Sequence, residues 1–369
     1  MQPFKMKSHK EVTIYDIARI LNISASTVSR GLNNHPHVRK ETKKKILNTA
    51  REMEYQRNKF ATNLRQSRTN TIGVIVPRLN SYFQSRVITG IEKVATQSGY
   101  HLIISQSQES LKNEIASIST MFNSRIDGLL VSLACNTRKL DHFNILFKKR
   151  IPVVFFDRVF DHPDCIKVLI ENYKAGYEAT THLIEQGCRR IVHVTGNLCS
   201  NVYSDRLKGY KQAIADNGIE YYKTFIFNDE LYEEEGIKTV EKILKMSVLP
   251  DGIFTASDVT AATIICKLKQ AGINIPGDIA VVGFNDDLVS RVIDPGLTTI
   301  HYPGIEMGEI AASTLINKLN NIQSANLSTI VLQHHLIIRQ SSLKSEHHLA
   351  ENAFISETTN NKLLKKLKG

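Results

Sequence analysis

Seven short, nearly uninterrupted apolar runs between residues 71 and 285 constrain this chain more than any other feature. They read TIGVIV (71–76), HLIIS (101–105), DGLLVS (127–132), PVVFFD (152–157), RIVHVTG (190–196), DGIFTAS (251–257) and IAVVGFN (279–285). Runs of this length without polar alternation are strands covered on both faces. Stretches of helical composition separate them, among them 83–97, 173–186, 205–217 and 258–271. Strand and helix in alternation build parallel sheets with helices on each side. The number of runs suits an α/β body of two doubly wound parallel-sheet subdomains, with a boundary near Ile170. Such sheets take ligands at the carboxyl ends of their strands, which places the expected site in the cleft between subdomains.

Charge sets the first seventy residues apart from this body. The 369 residues carry a net charge of +11. Residues 1–70 hold 15 Lys and Arg against 5 Asp and Glu, whereas the remaining 299 residues hold 32 against 31. A strongly basic segment on a neutral scaffold is the signature of a polyanion-binding domain. A merely solubilising tail is the alternative, and it fails because the segment also contains amphipathic helices.

Within VTIYDIARIL (12–21), Thr13 and Asp16 form a capping pair, and Ile14, Ile17, Ala18 and Leu21 recur at helical spacing. After Asn22-Ile23, Ser24 caps a second helix, ASTVSRGLNN, whose apolar side is Val28 and Leu32. A third helix is expected from Arg39 to Met53, burying Ile46, Leu47, Ala50 and Met53. Short helices joined by so tight a break make a helix-turn-helix. Ala25, Ser26, Thr27, Ser29 and Arg30 are expected on the open face of the second helix. Small hydroxyl residues permit close approach to phosphates and base edges, and an arginine bonds guanine in bidentate fashion. Residues 58–68, NKFATNLRQSR, suit a helix that folds only against DNA, with Leu64 as an apolar wedge in the minor groove.

VTIYDIARILNISASTVSRGLNN, followed by NKFATNLRQSRTNTIGVIVP, resembles the opening of the lac-repressor (LacI/GalR) family of bacterial transcription regulators. The resemblance extends over about residues 11–341 and implies a DNA-binding headpiece (1–57), a hinge helix or linker (58–70) and an effector-binding, dimerising body (71–341) of periplasmic-binding-protein type. Residues 342–369 are a polar tail expected to be disordered. The resemblance adds that the chain crosses back, so that about 302–322 return to the first subdomain and about 325–340 to the second. The candidate DNA contacts are Thr13, Tyr15, Ser24, Ala25, Ser26, Thr27, Ser29, Arg30, Asn33, His37, Tyr55, Asn58, Ala61 and Leu64. Arg57 replaces the usual proline before the hinge, and Arg39 replaces a small capping hydroxyl at the third helix.

In the body the candidate effector-binding residues are Tyr82, Phe83, Asp157, Arg206, Ser257 and Asn285. Tyr82 and Phe83 sit at a strand-to-helix turn, where aromatic faces suit a sugar ring, although core packing competes for Phe83. Asp157 closes a strand, and the rival role is a turn cap. Arg206 in SDRLKGY matches the family's effector-binding arginine, at a helix start where its charge opposes the dipole. Ser257 ends DGIFTAS and Asp258 behind it is expected to be the helix N-cap. Asn285 stands where the family has a ligand-binding aspartate, which removes one negative charge from the cleft, and Leu231 stands where the family often has a stacking aromatic.

The expected function is a ligand-controlled repressor that acts as a homodimer on a near-palindromic double-stranded operator. Its expected effector is a sugar or sugar derivative, with a purine or another metabolite as the alternative. A solute-binding protein without a regulatory role is a rival that the basic headpiece disfavours. Nothing resembles GxSxG, GxxxxGK[ST] or HExxH, so no enzyme is expected. Five scattered cysteines, none spaced as CxxC, argue against a metal site or disulfide framework. No cofactor is expected. An N-terminus without an apolar h-region, and apolar runs too short to span a bilayer, point to a cytoplasmic protein without membrane contact.

Overall fold

Thr13 and Ser24 each begin a helix, as their side chains demand. The computed structural model describes residues 12–55, 68–228, 230–231, 233–322 and 328–344. Residues 1–69 and 70–369 form separate units. In the first, α1 (Ile14–Leu21) starts where the Thr13 amide and hydroxyl both donate to Asp16 Oδ2, at 3.0 and 2.7 Å. Asn22 then turns the chain in the left-handed region (φ 53°) into α2 (Ala25–Leu32). Ser24 Oγ accepts the Thr27 amide at 3.2 Å, satisfying one orphan donor of that helix.

The third helix, α3 (Lys40–Glu52), packs on the other two through Ile46 and Ala50, against Ile17, Ala18 and Val28. Leu47 departs from expectation and is half exposed, while Thr49 is buried. The buried row is set by i, i+3 and i+4 spacing from Ile46, and Leu47 falls one residue, about 100°, off it.

Among its described residues the second unit contains two six-stranded sheets. The first runs β11-β5-β4-β3-β1-β2, all parallel, from β1 (Thr71–Val76), β2 (His101–Gln106), β3 (Gly128–Val131), β4 (Val153–Phe156), β5 (Ile166–Ile170) and β11 (Thr329–Leu332). The second runs β12-β10-β9-β8-β6-β7, from β6 (Ile191–Thr195), β7 (Ile226–Asn228), β8 (Gly252–Thr255), β9 (Ala280–Asn285), β10 (Thr298–His301) and β12 (His335–Ile337). Its β10–β12 pair is antiparallel. The helices of this unit are α4 (Tyr82–Gln97), α5 (Leu111–Asn123), α6 (Asn144–Phe147), α7 (Asn172–Glu185), α8 (Asn201–Asp216), α9 (Glu233–Leu244), α10 (Asp258–Gln270), α11 (Val289–Val292) and α12 (Gly304–Leu319).

Central strands β3, β4, β6 and β8 are buried along their whole length, which is why they read as continuous apolar runs. The chain passes between sheets after β5, after β10 and after β11. Helix α12 returns to the first subdomain, where it packs on α4, β3 and β4. The expectation for residues 325–340 needs correction: Thr329–Leu332 pair with β5 of the first sheet, and only from β12 does the chain rejoin the second.

Each sheet is covered by one very close helix pair. A Cβ on Gly176 of α7 would lie 2.3 Å from the Arg206 carbonyl oxygen, and one on Gly209 of α8 would lie 2.0 Å from that of Tyr173. Gly90 and Gly308 do the same for α4 and α12, with would-be contacts of 2.1 and 2.0 Å. Only glycine permits backbone approach this near, and in the α7–α8 pair the contact fixes the height of Arg206. Among the described residues no helix is long and apolar enough to cross a membrane.

Candidate functional site

The headpiece presents a small polar face along α2. Ser26 and Arg30 are exposed, while Thr27 and Ser29 are half-buried. Ser24 Oγ lies 2.8 Å from both the Ser26 and Thr27 hydroxyls, so these three side chains hold one another in place at the helix start. Ala25 differs from expectation, packing against the helical core, because it lies one turn before Val28 on the same side of α2. Asn33 closes the helix by donating to the Ser29 carbonyl at 2.9 Å. Tyr15 on α1 is 68% exposed, and His37 is exposed in the turn before α3. Tyr55 is half-buried against the same core. Arg39 precedes α3 without a side-chain cap bond. Asn58, Ala61 and Leu64 lie outside the described residues.

In the body, strand order reverses between β3 and β1 and again between β8 and β6, which opens a crevice at the carboxyl ends of both sheets. Asp157, immediately after β4, is buried and held in the left-handed region at φ 59°. Its Oδ1 accepts the Tyr302 hydroxyl at 2.8 Å, and its Oδ2 accepts Gln84 Nε2 at 3.1 Å and Ser132 Oγ at 3.2 Å. Asn285 ends β9 at φ 115°, a second strained residue at the same level. Strain of this kind persists only where surrounding contacts enforce it.

Arg206, on α8 and 3% exposed, donates Nε to Asn172 Oδ1 at 2.9 Å and a terminal nitrogen to the Ala256 carbonyl at 3.4 Å. Its guanidinium carbon sits 3.4 Å from the Phe284 ring centroid. Burial, with Arg158 as a lesser contributor, lowers its pKa from the ordinary arginine value. Phe83 is buried and stacks on Tyr302 at 4.2 Å, so its face is spent inside the protein. Tyr82 remains exposed at the rim beneath Arg86. Ser257, rather than Asp258, is the N-cap of α10. Asp258 is wholly buried instead, accepting the Thr299 hydroxyl and the Asp287 amide, each at 2.7 Å. Burial, and then Asp287, pushes its carboxyl up to about 8.

Sequence reasoning missed several groups here. Arg158, the residue after Asp157, is buried; it reaches Glu109 at 2.5 Å and the Tyr203 hydroxyl at 3.3 Å. Burial disfavours the Glu109 charge, yet Arg158 and then Arg78 outweigh it and hold the carboxyl below its usual range. Contacts also link the subdomains across the mouth: Arg78 with Glu230 at 3.6 Å, Arg138 with Cys199 Sγ at 2.9 Å, and the Val159 amide with Asn201 Oδ1 at 3.1 Å. Tyr203 was legible as a neighbour of Arg206, three residues away on one helix face. Tyr302 was not, lying 145 residues from Asp157. Among the described residues no three His, Cys, Asp or Glu side chains gather as metal ligands.

Two family descriptions match the chain: bacterial regulatory proteins of the lacI family over residues 13–58, and a periplasmic binding protein-like domain over residues 180–342. The chain is 31% identical over 332 residues to catabolite control protein A of Priestia megaterium, covering 90% of this chain and 99% of that protein. It is 31% identical over 329 residues to the ribose operon repressor of Haemophilus influenzae, covering 89% and 98%. Its fold matches the crystal structure of the lac repressor dimer bound to operator and the anti-inducer ONPF, with a TM-score of 0.80 at 23% identity, covering 90% of this chain and all of that one.

Proposed function

We propose, for a chain that belongs to the lacI family of bacterial regulatory proteins, a repressor acting as a homodimer on a near-palindromic operator and controlled by a small carbohydrate or sugar derivative. As a family member it is a DNA-binding regulator of transcription with an effector-binding domain, and not an enzyme. In this reading each protomer sets its α2 in the major groove, with Ser26, Thr27 and Arg30 at the base edges and Tyr15 and His37 at the flanking backbone. Two Leu64 wedges kink the operator centre.

The observation that carries the effector reading is Arg206. It is a buried cation at the carboxyl ends of the second sheet, stacked on Phe284 and bonded only to neutral oxygens. Sugars offer one apolar face and a rim of hydroxyls, which suits the aromatic Tyr82 beside polar Asp157, Ser257 and Asn285. A ligand held by both subdomains favours one angle between them, and it can shift DNA affinity only by its differential affinity for the two states. Calorimetry on the full chain with a panel of sugars and nucleobases tests this reading. Sugar binding that Arg206→Ala abolishes, with DNA binding kept, is the expected result; tight purine binding without sugar binding overturns it.

A further inference from the structure

Four arginines gather at the carboxyl ends of the cleft strands: Arg78 after β1, Arg138 after β3, Arg158 after β4 and Arg206 on α8. Three carboxylates face them. Glu109 bridges Arg158 at 2.5 Å and Arg78 at 3.5 Å, and Glu230 reaches Arg78 at 3.6 Å. Asp157 is occupied by three uncharged donors. Its charge still acts on Arg158 and Arg206 through space, so the four arginines exceed the three carboxylates by one positive charge. Arg206 touches no carboxylate, and Arg138 meets a sulfur, Cys199 Sγ.

Arg158, 9% exposed, leaves its Nε without a hydrogen-bond partner. One aromatic ring serves both buried cations: the Tyr203 centroid lies 5.5 Å from the Arg158 guanidinium carbon and 5.6 Å from that of Arg206. An incompletely bonded buried cation is costly, and a second one on the same ring adds repulsion to desolvation. Glu109 already answers the Arg158 charge, which leaves the Arg158 Nε and the Arg206 guanidinium as the groups an acidic ligand would meet. Asn285 opposes nothing here, being uncharged where an aspartate would repel such a ligand.

We propose that the effector carries an acidic group, a carboxylate or a phosphate, and that Arg158 of the first subdomain and Arg206 of the second take that group together. The proposal rests on the cleft being the effector site and narrows its ligand from sugars at large to acidic sugar derivatives. Because the two arginines come from different subdomains, the anion also fastens the closed cleft. Arg158 thus sets specificity, and its bond to Glu109 holds the guanidinium in place.

Calorimetry on the full chain tests this with neutral hexoses and pentoses, their phosphates, their aldonic and uronic acids, a nucleobase, and inorganic phosphate. An acidic derivative should bind at least about tenfold more tightly than its neutral parent. Arg158→Gln should erase that preference and Arg158→Lys should restore part of it. The phosphate and carboxylate arms tell which acid is read. Neutral sugars binding as tightly as every acidic counterpart would overturn the proposal and leave the carbohydrate reading standing. A nucleobase binding with no sugar of either kind would overturn both. The panel on the parent chain decides the matter even if an Arg158 variant fails to fold.

Discussion

Replacing Arg206 with methionine separates a side chain kept for a ligand from one kept for stability. The change removes a charge-assisted bond to Asn172 Oδ1 at 2.9 Å and a long bond to the Ala256 carbonyl at 3.4 Å. The first is worth about 1.5–3 kcal/mol, and leaving the buried Asn172 oxygen unmet costs about 1–3 kcal/mol. Against these losses stands the relief of a buried cation without a carboxylate, an effective penalty of several kcal/mol. Methionine retains the apolar contact with Phe284. The opposing effects nearly cancel, so stability should change by no more than about 2 kcal/mol in either direction. The chain has no tryptophan, so the assay is thermal unfolding followed by far-UV circular dichroism. The midpoint should move by at most about 8 °C, since roughly 2–4 °C accompanies each kcal/mol in a domain of this size. Effector response should be lost at the same time. A destabilisation above about 4 kcal/mol with the response intact would show that Arg206 is a structural residue, and the reasoning would be wrong.

Other expectations follow from named contacts. Arg30→Ala should cost about 1–3 kcal/mol on a specific site and relax one base position, read by mobility shifts on single-base operator variants; a loss equal on specific and random DNA contradicts base reading. Gly176→Ala places a Cβ where 2.3 Å separates it from the Arg206 carbonyl oxygen, so it should cost about 1–3 kcal/mol in unfolding and weaken effector binding as α8 shifts. Asp258 has its carboxyl raised to about 8, so the folded state binds its proton more tightly than the unfolded chain does. Stability should therefore be greatest at low pH with respect to this group, and fall as pH rises from about 4 through 8. Asp258→Asn should flatten that slope in unfolding midpoints measured from pH 5 to 8, and an unchanged slope would exclude Asp258 as its source.

The parts legible in the sequence were those whose physics is local. Val153–Phe156 is buried on both faces and reads as a strand without help from its neighbours. Thr13 and Ser24 start helices through bonds close in sequence: Asp16 accepts the Thr13 amide, and Ser24 Oγ accepts the Thr27 amide. Edge elements were harder. Ile226–Asn228 and His335–Ile337 are three-residue strands, half-buried at best, and their pairing partners decide them. Helix α5 is weakly marked in the sequence because its inner face carries Glu114, a wholly buried carboxylate bonded to Thr137 and His142, which breaks the apolar stripe. In the cleft, Asp157, Arg206 and Asn285 could be named from their strand or helix ends, but their partners could not. Tyr302 comes from the crossing after β10, and Phe284 underlies Arg206 only once β9 lies beside β8. Ser257 and Asp258 illustrate the limit: both residue types cap helices and both are buried, and the extended backbone of Ser257 (φ −155°), with the Thr260 amide on its hydroxyl, is what makes it the cap.

The central claim is that a ligand in the cleft and an operator on the headpiece are read by one coupled molecule. Its most direct test is the reciprocal one: operator affinity by fluorescence anisotropy, on DNA selected in vitro with the full chain, with and without a saturating cleft ligand, and then ligand affinity by calorimetry with and without that operator. Linkage requires the two ratios to be equal, and a working regulator should give a factor of about 5–150. A ligand that binds the cleft tightly and leaves operator affinity unchanged would contradict the account.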